Sequence, residues 1–148
     1  MRSRFEEQLR LLNQELLEMG ALIERAIQSA TDAMVHQNVE AARAAIAFDH
    51  EVDQKEKDIE SLCIKLLLQQ QPVARDLRAI SAALKMITDM ERIGDQAEDI
   101  AEIIPFLSGR QTENSLLLRE MAKASIKMVT DSVDAYVRRD TEAAAAVI

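Results

Sequence analysis

Only two prolines and three glycines interrupt 148 residues, and this scarcity of turn-formers constrains the chain more than any other feature. Glycine and proline are the residues that end helices and open tight turns. Where they are so rare, the ordered elements have to be long. The residues between them are mostly Ala, Leu, Ile, Glu, Gln, Met and Arg, all good helix formers. Breaks are legible at three places. His36-Gln37 gives way to Asn38, a good N-cap; the QQQP segment ends at Pro72, which disfavours helix at Gln71 and is tolerated in a first turn; and Pro105 is followed by SGRQ. Four helices follow, the first opened by a Ser3–Glu6 capping box and the fourth starting near Thr112 or Glu113.

Apolar residues recur every three or four positions within these spans, as one helix face requires. In the first helix the line is Phe5, Leu9, Leu12, Leu16, Met19, Ile23, Ala26 and Ala30; in the second it includes Ile46, Val52, Ile59, Leu62 and Leu66. Only four residues are aromatic, so the core is aliphatic. The single cysteine, Cys63, has no internal partner for a disulfide and lies among apolar neighbours, where a buried thiol is expected. The formal charge of −8 argues against a nucleic-acid partner, which needs a basic face. No signal peptide, transmembrane run or lipidation motif is visible, so a cytosolic protein is expected, with membrane contact only through a partner.

Shifted by 102 positions, LLEMG…TDAMVHQNVEAARAAI lies over LLREM…VDAYVRRDTEAAAAVI without a gap. Asp32 falls on Asp134, Val35 on Val137, Glu40 on Glu142, and the cap Asn38 on Asp140. This implies an internal repeat. The expected fold is all-α: an up-down-up three-helix bundle over residues 1–108, then the first helix and the start of the second helix of another copy over 109–148. The second copy stops within its second helix, as a truncated chain would.

The sharpest chemical signal is ERIGDQAEDIAE, residues 91–102. At 100° per residue, Asp95, Glu98 and Glu102 all fall within about 40° of Glu91. Leu77, Ile80, Leu84 and Ile87 continue this stripe toward the start of the third helix. The opposite stripe, Ala79, Ala83, Met86, Met90, Ile93, Ala97 and Ile100, is apolar throughout and is the better candidate for the core face; the first stripe is then a second face, packed early and acidic later. The second helix has its own acidic line at Asp49, Asp53, Glu56 and Glu60. Asp53 lies 19 residues before Pro72 and Glu91 lies 19 after; Asp49 and Asp95 stand 23 away on either side. Antiparallel neighbours joined at Pro72 therefore bring these pairs to matching heights.

Like charges about 4 Å apart near a protein surface repel by roughly 4 kcal/mol. Protonation, splaying or bound cations relieve this repulsion. A solvated face screened by Lys55, Lys57 and Arg92 is the bland alternative. An oxygen-only ligand set favours hard ions, and the identity is left open among iron, manganese, magnesium, zinc and calcium. Other candidates are weaker. His36 and His50 suit the surface, the methionines suit the core, and no nucleophile–base–orienter set is present. Arg75, Asp76 and Arg78 open the third helix, either as a first-turn salt-bridge cluster or as a contact for an anion or partner.

ERIGDQAEDIAE, the PVARDLRAI segment after a glutamine run, and DHEVD together resemble the PhoU family of bacterial phosphate-signalling proteins. The resemblance implies three-helix repeats with Glu/Asp-x-x-x-Asp motifs, met here by Asp49 with Asp53 and by Glu91 with Asp95. It implies that these four carboxylates bind metal. It also implies a non-enzymatic cytoplasmic regulator, commonly a homodimer, that represses the phosphate-starvation response. Such a regulator links the ATPase subunit of the phosphate ABC transporter to a sensor histidine kinase. One alternative is an accessory subunit of a secondary phosphate transporter. Another, a ferritin-like di-metal protein, normally needs Glu-x-x-His pairs, and the chain has none.

Overall fold

The structure, a computed structural model, describes residues 2–107, 110 and 113–148. Helix α1 covers Arg2–His36, α2 Val39–Gln70, α3 Ala74–Ile103, α4 Ser115–Arg138 and α5 Thr141–Val147, with a 3-10 turn at Ile104–Leu107. Among the described residues there is no strand. Helix α1 packs against α2, α3 and α4, and α2 against α3. The first three helices thus form an up-down-up bundle, with α4 laid along α1.

The breaks fall where the chain chemistry requires them. Asn38 accepts hydrogen bonds from the Glu40 and Ala41 amides at 3.0 and 3.3 Å. Gln71, disfavoured as helix by Pro72, takes φ 43° and ψ 66°, and α3 resumes from the extended Val73. The α1–α2 and α4–α5 junctions are built alike, 102 residues apart. Gln37 and Arg139 both take φ 55°. The Asn38 and Asp140 amides reach back to Ala33 and Ala135 at 3.1 and 2.9 Å, and Asp140 caps Ala143 at 2.9 Å.

Two boundaries differ from the sequence expectation. Helix α1 already begins at Arg2, so Ser3 is a helical residue rather than the cap. Helix α4 begins at Ser115, Glu113 lies in the turn before it, and Thr112 falls outside the described residues.

Leu12, Leu16, Met19 and Ile23 of α1 meet Val52, Ile59 and Leu66 of α2, Ile80, Ile87 and Met90 of α3, and Val133 of α4 in one buried cluster. Each such side chain contributes roughly 1.5–3 kcal/mol on burial. Cys63 lies in this cluster, as its neighbours implied. Toward the other end, Ala26, Ala30, Ala33, Ala42, Ala45, Ala97 and Ala101 form a second cluster.

The core face of α3 is not the stripe expected. The buried line is Ile80, Ala83, Ile87, Met90, Gly94, Ala97 and Ala101. It takes Ile80 and Ile87 from the acidic stripe's apolar half and Ala83, Met90 and Ala97 from the opposite stripe. Ile100 is left exposed. Because α3 touches both α1 and α2, its buried face lies between the two stripes. That rotation carries the carboxylates to the α2–α3 seam rather than to open solvent.

Candidate metal centre

The seam brings all four expected carboxylates together. Asp49, Asp53 and Asp95 form one group, and Asp53, Glu56 and Glu91 another. In each group one oxygen per residue lies within 4.8 Å of the others. Two oxygens on opposite sides of one hard cation are separated by about 4–5 Å, twice a bond of 2.0–2.6 Å. Either group therefore spans distances that one ion could bridge. Asp53 belongs to both, which allows a shared ligand between two ions.

Asp49 is the innermost member, only 3% exposed, and it is the sole charged residue buried in the described fold. Asp53, Glu56, Glu91, Asp95 and Glu98 are half-buried around it. Neither Asp49 Oδ1 nor Asp53 Oδ1 has a hydrogen-bond partner, although both atoms are buried. Buried polar atoms are seldom left so, because an unmet group costs about 1–3 kcal/mol.

The screening alternative finds little support: of Lys55, Lys57 and Arg92, only Lys57 acts on the acidic seam, and only on Glu56. Lys55 turns to α1, where its ammonium meets Glu15 at 2.6 Å and also Glu18. Arg92 lies 3.9 Å from Asp89. Among the described residues, no Lys or Arg pairs with any of the four carboxylates.

The electrostatic consequence is large. Burial pushes the Asp49 carboxyl up to about 8, and the neighbouring carboxylates of Glu98, Asp53 and Asp95 push in the same direction. Burial raises Glu91 to about 7, with Asp95, Glu56 and Asp53 adding to it. Glu56 is raised as well, by burial and then by Asp53, Glu60 and Asp95, while Lys57 offsets part of this. The buried, unpartnered oxygens and the all-carboxylate donor set fit a hard cation.

Three contributors were not foreseen as parts of the centre. Glu56 completes the second group, and Glu98 lies against Asp49. Both stood on the acidic stripes, but only the folded seam selects them from Glu60 and Glu102, which stay exposed. Gly94 is the third. A Cβ there would come within 3.1 Å of Val52 Cγ1 and 3.5 Å of Asp49 Oδ1. Its bare backbone therefore admits α2, with Asp49, against α3. A glycine inside a helix costs about 1 kcal/mol relative to Ala, which is the signal in ERIGD that could have marked a close approach. The Arg75–Asp76–Arg78 segment is not a salt-bridge cluster: neither arginine has an acidic partner among the described residues.

A profile of the PhoU domain matches residues 16–104, more than half of the chain. The chain belongs to the PhoU family. A "phosphate-specific transport system accessory protein PhoU homolog" of Clostridium acetobutylicum is 39% identical over 142 residues, which is 95% of this chain and 65% of that protein. One from Aquifex aeolicus is 36% identical over 143 residues, 96% of this chain and 65% of that protein. This chain thus spans somewhat less than two thirds of the length of those relatives. The crystal structure of PhoU from Pseudomonas aeruginosa superposes with a TM-score of 0.89 at 30% identity, over 96% of this chain and 69% of that one. The all-α bundle is the PhoU fold.

Proposed function

We propose that this chain is a PhoU-type regulator of phosphate transport that holds a metal ion, or a small cluster of ions, on Asp49, Asp53, Glu91 and Asp95. The observation that carries the metal reading is the buried Asp49 beside the half-buried Asp53, each with a buried unpartnered oxygen and neither paired with a Lys or Arg among the described residues. A cation bound there would neutralise the seam and hold α2 and α3 in one geometry. Iron, manganese, magnesium, zinc and calcium all remain within the donor chemistry. The metal's part is structural, and the protein acts by contact rather than by catalysis.

The regulatory reading is supported by the relatives' names, which describe accessory proteins of a phosphate-specific transport system. Family resemblance supplies the partners: the transporter's ATPase subunit and a sensor histidine kinase, met by a cytoplasmic homodimer. No helix among the described residues is long and apolar enough to cross a membrane. A first three-helix repeat over 1–108 and the start of a second over 109–148 is a division supported by the two like junctions 102 residues apart; its boundary at 108/109 lies outside the described residues.

Elemental analysis of the purified protein beside the Asp49, Asp53, Glu91 and Asp95 quadruple Ala variant tests the centre. Metal should be present in the first and lost from the second; equal content in both removes the site. Affinity capture from phosphate-replete cells tests the partners. Recovery of the ATPase and the kinase supports the regulator, whereas recovery of a secondary phosphate transporter alone transfers the reading to an accessory subunit of that transporter.

A further inference from the structure

We propose that the cleft between the amino-terminal parts of α1 and α3 and the α4–α5 junction binds a phosphorylated small molecule of nucleotide size. Its phosphate is held by Arg75, Arg78 and Arg139. The cleft measures about 560 Å³ and all three arginines line it. Sites for small organic ligands are commonly about 300–1,000 Å³.

In an acidic chain, one cleft gathers three arginines on its lining. The net charge is −8, and Arg43, Lys55, Arg92, Arg119, Lys127 and Arg138 all have acidic partners. Arg75, Arg78 and Arg139 have none among the described residues. Arg75 and Arg78 also lie in the first two turns of α3, where the helix dipole repels cations and attracts anions. Val73, the residue before α3, supplies no side-chain cap. A phosphate there would meet two guanidiniums suited to bidentate contact, close to a positive helix end.

Arg139 comes from the other wall. Its φ of 55° is fixed by the junction, where its amide donates to the Tyr136 carbonyl at 3.1 Å. Between the walls the lining is apolar, with Leu9, Leu12 and the ring of Tyr136. That ring is locked by its hydroxyl, which donates to the Ala79 carbonyl at 2.7 Å. Asp140 is the opposing charge in the cleft. Its Oδ1 is engaged in capping Ala143 at 2.9 Å, and its Oδ2 lies 3.8 Å from Arg138. Arg78 and Glu91 are thirteen residues apart on α3, about 20 Å along the axis, so the cleft is independent of the carboxylate centre.

Isothermal titration of the whole chain with inorganic phosphate, adenosine, AMP, ADP and ATP, in chelator to keep metal off the carboxylates, tests this. At least one nucleotide should bind roughly tenfold or more tightly than either phosphate or adenosine. The Arg75→Gln/Arg78→Gln variant should weaken that binding at least about tenfold. Arg43→Gln, which removes an exposed arginine elsewhere, should not. Circular dichroism checks that the variants keep their helix content. Nucleotides that bind no better than phosphate overturn the proposal. So does undiminished binding in the double variant, or an equal loss in Arg43→Gln, which marks general charge attraction.

Discussion

Asp49→Asn should change the stability of this protein in opposite directions with and without metal. In the metal-free chain, Asp49 is 3% exposed, one of its oxygens lacks a partner, and its carboxyl is pushed up to about 8. An aspartate in an unfolded chain titrates near 3.9. Below about pH 4 both states carry the proton, and Asp49 costs the fold nothing by its charge. As the pH rises from there toward 8, the unfolded chain releases the proton first, so stability falls at about 1.4 kcal/mol per unit. By pH 7 the loss reaches roughly 4 kcal/mol as an upper figure, and about 2–3 kcal/mol once splaying and water entry relieve part of it. An asparagine carries no charge and avoids the loss. Metal-free Asp49→Asn should therefore melt about 4–10 °C above the parent at pH 7, and nearly level with it at pH 4. With a saturating hard cation the order should invert, because the variant lacks the innermost ligand. Differential scanning calorimetry at pH 4 and 7, in chelator and in metal, reads all four conditions. A metal-free variant no more stable than the parent at pH 7, or a gain that is the same at both pH values, refutes the reasoning.

Gly94→Val should destabilise the fold by about 1–3 kcal/mol in chemical denaturation and lower metal affinity, since the new side chain would press on the buried Val52 and on Asp49. Asn38→Ala should cost about 1 kcal/mol through the lost caps to Glu40 and Ala41. Leu16→Ala, at a position 0% exposed in the main core, should cost about 2–5 kcal/mol in the same measurement. Cys63 is fully buried and its thiol is raised to about 11 by burial and then by Glu60, so a thiol reagent at pH 8 should label it only at the rate of unfolding.

How much of this was readable beforehand differs by element. The apolar line of α1 from Phe5 to Ala30 was legible almost residue for residue, because α1 presents one buried face and the 3.6-residue period records it. The α2–α3 turn was legible because Pro72 acts on its immediate neighbours. The face of α3 was misjudged because two stripes competed, and the choice depended on α1 and α2 pressing on it together. The screening alternative could not be decided from the sequence for the same reason: Lys55 is four residues from Glu51 and near Asp53 in sequence, but the fold offers it Glu15 and Glu18 of α1.

The sequence by itself determined the helices, the breaks at Asn38 and Pro72, and the heights of the carboxylates. Backbone hydrogen bonding fixes the rise per residue, so equal counts from Pro72 to Asp53 and Glu91 guarantee equal levels. Rotation about each helix axis has no such local rule. It follows from the summed burial of side chains distant in sequence, and only that sum turned the acidic stripes into one seam, sank Asp49 beneath it and set Gly94 where the two backbones meet.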